Sequence, residues 1–278
     1  MKTWAKEIGT DIREVGGPGQ LCKMASYEPL LDQNPFKSIQ GNSLGTDLFK
    51  LDRALTELKT ASNVEAVSLG TSIMAVRYPG GVILGADSRV TTGAYIANRV
   101  SDKLTPLYQG TDSVIFCCRS GSAADTQAVA DITSHYLRMT AVEQGHGPSV
   151  RQAATLISRI CYENKDALMA GMIVAGVDTT GSHVFSIPLG GSLHAAPYAI
   201  GGSGSTYIYG YCDMTYREDM NGEQVEGFVT QALALAMARD GSSGGVIRLA
   251  SISKDHTGEV KTERKILRGA QIPLNWRH

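Results

Sequence analysis

Strand-like and helix-like segments are grouped along this chain and do not alternate one by one. Apolar strand patterns at 71–78 and 82–87 flank the turn Pro79-Gly80-Gly81 and predict a hairpin. The remaining predicted segments are helices at about 122–144 and 149–165, strands at 172–178, 183–187 and 193–200, helices at about 205–211 and 223–239, and strands at 245–253 and 260–267. This grouping favours antiparallel sheets covered by helix layers over the regular strand–helix alternation of a parallel fold.

Two of the predicted helices carry signals of their own. Ser122 and Asp125 have the spacing of a capping box, so we expect a helix to begin at this point. The segment 228–237 is apolar nearly all round, which predicts a buried helix.

Residues 1–70 differ from the rest of the chain in composition and in the pattern of apolar residues. They contain Gly-Gly-Pro-Gly at 16–19 and show no sustained periodicity, apart from a possible helix at 47–60 with Thr46 as its cap. We interpret them as a loosely structured leader. The boundary lies between Gly70 and Thr71, where the first strand pattern begins.

Charge and apolar content exclude several classes of partner. The chain has 278 residues, with 26 Lys and Arg against 27 Asp and Glu, so no overall positive field favours nucleic acid or an anionic membrane. The longest apolar run, 232–238, is far shorter than the roughly 18–20 residues that cross a bilayer. Five scattered cysteines fit no disulfide framework and indicate a reducing compartment, the cytoplasm or nucleus.

Several patterns that suggest chemistry have a better structural explanation. Gly241-Ser-Ser-Gly-Gly245 matches the serine nucleophile elbow, but a helix precedes it and a strand follows, the reverse of what an elbow needs. The six histidines lack metal-ligand spacing and no nucleotide-binding loop is complete, so we expect neither a metal nor a cofactor. Cys117 and Cys118 lie in an apolar run and are expected to be buried.

The boundary at Thr71 offers a different chemistry. Cleavage after Gly70 would give Thr71 a free α-amine beside its hydroxyl, and an amine of pKa about 7.7–8.0 can accept a proton near neutral pH. Such a nucleophile needs a cation and a carboxylate nearby, and Lys103 and Asp87 are candidates. On spacing alone, these two residues could equally be solvated charges at strand ends.

Six motifs carry a resemblance to a known family. They are TSIMAV at 71–76, GADSRVTTG at 85–93, DKL at 102–104, CCRSGSAADTQ at 117–127, GGSGS at 201–205 and RDGSSGG at 239–245. In this order they resemble the catalytic β-type subunits of the 20S proteasome, most closely the β1, caspase-like type. The resemblance implies an α+β fold, a four-layer αββα sandwich of two antiparallel sheets between helix layers. It also implies that 1–70 is a propeptide removed by self-cleavage at Gly70–Thr71, and that 71–278 is the N-terminal-nucleophile hydrolase domain.

The resemblance also assigns roles. Thr71 would be the nucleophile of a threonine endopeptidase, with Lys103 and Asp87 tuning its amine. Supporting polar groups would be Ser203, Asp240 and Ser243, and the backbone N–H of Gly121 would stabilise the oxyanion. Thr91 and Ala123 would hold the substrate backbone, and Arg119 would favour an acidic residue before the scissile bond.

Partners and alternatives follow from the same resemblance. It implies neighbouring β subunits and α-ring subunits in a 28-subunit particle that takes unfolded polypeptides as substrates. A non-catalytic structural ring subunit is the alternative, although it would need a defective nucleophile set. A bacterial-type threonine protease ring fits the long leader less well. Two positions depart from the β1 pattern. Val90 stands where threonine is common, which would make the pocket wall more apolar and the acidic selectivity weaker. The segment 107–113 is longer than the usual β1 connection, which would alter a surface loop or a contact with a neighbouring subunit.

Overall fold

The computed structural model describes residues 70–255 and 258–273. The predicted helix at 47–60 and the rest of the leader before Gly70 lie outside the described residues. Within the described residues, no helix is both long and apolar enough to cross a membrane.

Twelve strands and four α-helices make up the described part of the chain. The strands are β1 (Ile73–Tyr78), β2 (Gly81–Ala86), β3 (Val90–Thr92), β4 (Tyr95–Asn98), β5 (Leu104–Gln109), β6 (Val114–Gly121), β7 (Ala170–Asp178), β8 (Gly181–Ile187), β9 (His194–Ala195), β10 (Tyr198–Gly201), β11 (Ile247–Lys254) and β12 (Val260–Leu267). The helices are α1 (Ala123–Gln144), α2 (Val150–Glu163), α3 (Tyr209–Thr215) and α4 (Gly222–Arg239), with 3₁₀ turns at Ser203–Tyr207 and Gly269–Gln271.

The strands form two five-stranded antiparallel sheets and one separate hairpin. The first sheet has the order β10-β1-β2-β11-β12, the second β5-β6-β7-β8-β9, and β3 pairs with β4 alone. Strand β1 shows how the alternation of side chains builds the layers, because Ile73 and Ala75 pack against the second sheet while Met74 and Val76 pack against α4. Helices α1 and α2 cover the outer face of the second sheet. The predicted α+β, four-layer αββα architecture is confirmed.

Most of the predicted elements appear where the sequence placed them. The hairpin around Pro79 forms, Ser122 caps α1 by accepting a hydrogen bond from the Asp125 N–H, and most of the apolar face of α4 is buried. A helix precedes and a strand follows Gly241–Gly245, so the exclusion of a serine elbow stands.

The predicted strand at 193–200 was wrong. Its residues form two short strands, β9 in the second sheet and β10 in the first, and the chain passes between sheets at Ala196 and Pro197. Proline has no N–H to donate to a ladder, which explains why pairing is interrupted at this point. The predicted helix at 205–211 is also different, since a 3₁₀ turn ends at Tyr207 and α3 begins at Tyr209. The hairpin of β3 and β4 was not predicted, and neither were β5 and β6.

Candidate active site

Thr71 lies two residues before β1, at one end of the first sheet, and its peptide bond to Gly70 is intact. The side chain is buried, and Oγ1 donates a hydrogen bond to the Gly70 carbonyl oxygen at 2.7 Å. Its backbone N–H donates to Ser203 Oγ at 3.1 Å, and its carbonyl accepts from the Gly204 N–H at 3.1 Å. Both main-chain groups and the hydroxyl of Thr71 are therefore held in place.

Asp87 reaches Thr71 because β1 and β2 pair in antiparallel register, with Ile73 opposite Ala86. The pairing continues one step beyond the ladder, where the Asp87 N–H donates to the Ser72 carbonyl at 3.1 Å. Lys103 directly precedes β5 in the second sheet, so the two sheets bring the carboxylate and the ammonium together.

The Lys103 ammonium sits at the centre of the site. Its Nζ donates to Asp87 Oδ1 at 2.7 Å, to Thr71 Oγ1 at 3.1 Å and to the Gly70 carbonyl oxygen at 3.1 Å. Burial lowers the pKa of Lys103 below its ordinary value of 10.5, and the attraction of Asp87 offsets this effect only in part. The Thr71 hydroxyl and the Gly70 carbonyl oxygen thus share one lysine that gives up its proton more readily than an exposed lysine.

Three backbone N–H groups hold the Asp87 carboxylate in place. Ser72 donates to Oδ1 at 3.0 Å, whereas Gly244 and Arg89 donate to Oδ2 at 3.0 Å and 3.2 Å. The side chain is fully buried. A buried carboxylate with this many donors and an ion pair is satisfied, so it can orient Lys103 without an uncompensated charge.

A second carboxylate, Asp240, approaches Thr71 from the carboxyl end of α4. Its Oδ2 accepts from Ser203 Oγ at 2.7 Å and from Ser243 Oγ at 2.6 Å, and the N–H of Ser242 donates to Oδ1 at 3.0 Å. Burial works to raise the pKa of Asp240, but these hydrogen bonds outweigh it and keep the pKa below the ordinary value. Ser203 therefore links an ionised carboxylate to the Thr71 nitrogen.

Gly70 lies against Ser242 with no space for a side chain. A Cβ at residue 70 would lie 1.8 Å from Ser242 Cβ. On its other side, the Gly70 N–H donates to Thr91 Oγ1 at 3.2 Å. The carbonyl that Thr71 contacts is thus positioned by close packing and by Thr91 together.

Arg119 lies on β6, next to the strand that follows Lys103. Its backbone N–H donates to the Lys103 carbonyl at 3.0 Å, and its guanidinium donates to Gln127 Oε1 at 2.8 Å and to the Asp102 carbonyl at 3.2 Å. The Nε atom is buried and has no hydrogen-bond partner among the described residues. Gln127 and the Asp102 carbonyl thus hold the guanidinium in place beside Lys103.

The structure brings most of the predicted site residues together, but not all of them. Gly121 ends β6 at a φ of 100°, and Ala123 is exposed at the start of α1. In the part of the chain that the structure describes, neither is a hydrogen-bond partner of Thr71. Their roles stay predictions.

Three contributors to the site were not predicted from the sequence. The first is Ser72, which is hydrogen-bonded to Asp87 and to Ser243. The second is Gly204, which packs so closely on Ser72 that a Cβ at residue 204 would lie 1.9 Å from Ser72 Oγ. Arg89 packs its guanidinium on Gly244, where a Cβ would lie 2.4 Å from Arg89 Cζ. The glycine runs at 201–204 and 241–245 were a usable signal, because glycine permits such close approach of the backbone.

Comparison with known proteins agrees with this arrangement. A family profile described as "Proteasome subunit" matches residues 67–252, which include every residue of the site. The chain belongs to the proteasome subunit family. It is 58% identical over 208 residues to the "Probable proteasome subunit beta type-1" of Schizosaccharomyces pombe, an alignment that covers 72% of this chain and 90% of that protein.

Two further proteasome relatives support the β type. The chain is 59% identical over 184 residues to "Proteasome subunit beta type-1" of Saccharomyces cerevisiae, covering 66% of this chain and 83% of that protein. It is 56% identical over 212 residues to "Proteasome subunit beta type-6" of Dictyostelium discoideum, covering 76% of this chain and 95% of that protein. The predicted resemblance to proteasome β subunits of the β1 type is confirmed. Membership in this family implies, at the coarse level, a protease that assembles with other proteasome subunits.

Proposed function

We propose that this chain is a threonine endopeptidase of the proteasome core, activated by self-cleavage between Gly70 and Thr71. In this proposal residues 1–70 form a propeptide and 71–278 the catalytic domain. The mature subunit acts in a 28-subunit particle of β and α subunits in the cytoplasm and nucleus. Its substrates are unfolded polypeptides, cleaved preferentially after acidic residues.

The observation that carries the proposal is the contact of Lys103 with both reacting groups. Nζ lies 3.1 Å from the Thr71 hydroxyl oxygen and 3.1 Å from the Gly70 carbonyl oxygen. A nucleophile, a polarising cation and a scissile carbonyl within hydrogen-bond distance are what acyl transfer requires. The lowered pKa of Lys103, caused by burial, helps this lysine to exchange a proton with the hydroxyl.

In this proposal, self-cleavage is an acyl shift. Thr71 Oγ1 attacks the Gly70 carbonyl carbon, its proton passes to the departing Thr71 nitrogen by way of Lys103, and the peptide C–N bond breaks. Lys103 also donates to the Gly70 oxygen, where negative charge develops. Water then hydrolyses the ester, which releases the Gly70 carboxylate and leaves Thr71 with a free α-amine.

The mature site works on substrates in the same way. Thr71 Oγ1 attacks a substrate carbonyl and the α-amine takes the hydroxyl proton, directly or through water. Ser203, whose own proton goes to Asp240, presents an oxygen lone pair to the Thr71 nitrogen. We assign the oxyanion donor to the N–H of Gly121 and the substrate backbone contacts to Thr91 and Ala123 by resemblance to the family.

Arg119 supports the acidic preference. Its backbone N–H is bonded to the Lys103 carbonyl, and its guanidinium donates to the exposed side chain of Gln127. In the proposal, a substrate carboxylate takes the place of Gln127 Oε1 as the acceptor, through a charge-assisted hydrogen bond. By the same resemblance, Val90 stands where β1 types often carry threonine, and a more apolar pocket wall at this point would weaken the acidic preference.

The proposal is tested by replacing Thr71 in the assembled particle. We expect Thr71→Ala to retain residues 1–70 in an intact-mass spectrum and to lose cleavage of a fluorogenic peptide with Glu before the reporter by roughly a thousandfold or more. Thr71→Ser, which keeps the hydroxyl, serves as the matched control and should still mature. Wild-type turnover by the Thr71→Ala particle, together with a mature N-terminus, would falsify the proposal.

A further inference from the structure

Ser72, the residue after Thr71, is hydrogen-bonded both to Asp87 and to Ser243, the partner of Asp240. Its N–H donates to Asp87 Oδ1 at 3.0 Å, and its carbonyl accepts from the Asp87 N–H at 3.1 Å. Its Oγ lies 2.8 Å from Ser243 Oγ, which in turn lies 2.6 Å from Asp240 Oδ2. The Ser72 side chain is 1% exposed, so none of these bonds is open to exchange with bulk water.

The direction of each hydrogen bond follows from counting protons. Each serine hydroxyl has one proton, and the ionised Asp240 carboxylate can only accept. Ser203 and Ser243 therefore both donate to Asp240 Oδ2. Since the Ser243 proton is committed, Ser72 must be the donor in its contact with Ser243.

The same count fixes what Thr71 meets. With its proton on Asp240, Ser203 Oγ can only accept from the Thr71 nitrogen, at 3.1 Å. Consecutive donors strengthen one another in a buried chain, so the Ser72 hydroxyl reinforces the bond from Ser243 to Asp240. That reinforcement disperses part of the negative charge of Asp240.

We propose that Ser72 is a positioning residue, whose hydroxyl adjusts the basicity of the Thr71 α-amine through Ser243, Asp240 and Ser203. This inference rests on the proposed function, since it concerns the amine that self-cleavage releases. The charged groups that face Thr71 are Lys103 and Asp87 from the two sheets and Asp240 from the end of α4, with Arg89 close to Lys103. Among them, the Ser72 hydroxyl acts on Asp240 alone.

Removal of the Ser72 hydroxyl should change the pKa of the Thr71 amine in one direction. In Ser72→Ala, Ser243 loses its donor and the charge of Asp240 is less dispersed. A stronger negative charge favours the protonated amine, so the pKa of the Thr71 amine rises and less free amine is present at low pH. The rate on the acid side falls, whereas the plateau at higher pH changes little.

The experiment measures the rate at which a peptide electrophile labels Thr71 in assembled particles between pH 5 and 9. Intact mass counts only chains that begin at Thr71, so neighbouring subunits do not contribute. For Ser72→Ala we expect the acid-side midpoint to rise by about half a pH unit, a roughly threefold loss of rate below the midpoint. Ser72→Thr keeps a hydroxyl on the same carbon and should restore the wild-type midpoint.

Ser113→Ala is the matched control. Ser113 is also fully buried and donates a hydrogen bond, to the Pro148 carbonyl at 2.7 Å, but it has no bond to the site. A midpoint that is unchanged in Ser72→Ala, or that shifts equally in Ser113→Ala, overturns the inference. So does a Ser72→Thr chain that matures with the midpoint of Ser72→Ala, or the retention of residues 1–70 in both Ser72 variants.

The two proposals fail separately. Labelling or turnover that persists in Thr71→Ala removes the proposed function and this inference with it. If Thr71→Ala is inactive while Ser72→Ala keeps the wild-type midpoint, the endopeptidase assignment stands and the positioning role of Ser72 does not.

Discussion

Gly70 and Lys103 differ in what they contribute to the carbonyl next to Thr71. Lys103 acts through charge, because its ammonium lies within hydrogen-bond distance of both the hydroxyl and the carbonyl oxygen. Gly70 acts through the absence of a side chain, since it packs directly on the backbone and Cβ of Ser242. In the proposed self-cleavage, charge would set the reactivity of the Gly70–Thr71 bond and packing its position, so replacements at the two residues should have different effects.

Gly70→Ala should slow self-cleavage without affecting the fold. The added Cβ would lie 1.8 Å from Ser242 Cβ, so the scissile carbonyl must move. A displacement near 1 Å can cost about a hundredfold in rate. Gly241→Ala, in the same loop as Ser242 but with open space around its Cβ, is the control. A time course of intact mass would contradict the argument if both variants matured at the wild-type rate.

Arg119→Ala should remove the preference for acidic substrates. We expect cleavage after Glu to fall about ten- to a hundredfold, which corresponds to a charge-assisted hydrogen bond of about 1.5–3 kcal/mol. Labelling of Thr71 by an electrophile without an acidic group should stay near the wild-type rate. The control is Arg159→Ala, an exposed arginine on α2 that pairs with Glu163. An unchanged ratio of Glu to Leu cleavage would count against the assignment.

At the scale of elements, backbone spacing limits which residues a strand accepts. Gly176 lies on β7, the central strand of the second sheet, and a Cβ there would lie 2.3 Å from the Val114 carbonyl oxygen of β6. Gly227 in α4 is exposed and has open space around its Cβ. The same chemical change therefore has opposite consequences in the two elements.

Gly176→Ala should lower the free energy of unfolding by about 1–3 kcal/mol, because the strands must separate to admit a methyl group. Gly227→Ala should raise it by roughly 0.5–1 kcal/mol, because alanine loses less conformational entropy in a helix. Urea unfolding of the two chains, followed by circular dichroism, measures both values. Equal shifts of the same sign would disprove the reasoning.

At the scale of the whole molecule, buried apolar side chains form three clusters. One lies between the two sheets, one between the second sheet and helices α1 and α2, and one between the first sheet and α4. Large apolar side chains also remain at the surface, among them Tyr95, Val142 and Met214, with exposures of 81%, 85% and 90%. Apolar side chains that are exposed singly are normal at a protein surface, so these three do not by themselves mark an interface.

The reactivity of the four described cysteines can be used to follow unfolding of the whole molecule. Cys117, Cys118, Cys161 and Cys212 are all buried, and burial raises the pKa of Cys117 and Cys212 to about 12. In a Cys22→Ser chain at pH 8 we expect iodoacetamide to label them only as fast as the fold opens. The urea-unfolded chain, which should react at once, is the control. Rapid labelling of Cys117 in the folded chain would contradict this expectation.

Local physical rules made much of this protein predictable from its sequence. The apolar segments on either side of Pro79 predicted β1 and β2, the apolar segment 228–237 predicted a buried helix, and the cap at Ser122 placed the start of α1, because these signals depend on neighbours within a few residues. Asp87 and Lys103 were predicted to lie near Thr71 from the chemistry of an N-terminal threonine and from the resemblance to a known family, and the structure shows their contacts.

Tertiary structure decided the rest, because its terms depend on residues far apart in the chain. No local pattern assigns β9 and β10 to different sheets, since each is too short to show a period and only packing selects its partner. Nor could spacing reveal that Ser72 joins Asp87 to Ser243, because that bond exists only once α4 and the first sheet are packed. The sequence supplied the reactive groups, and long-range packing set the distances that determine what they can do.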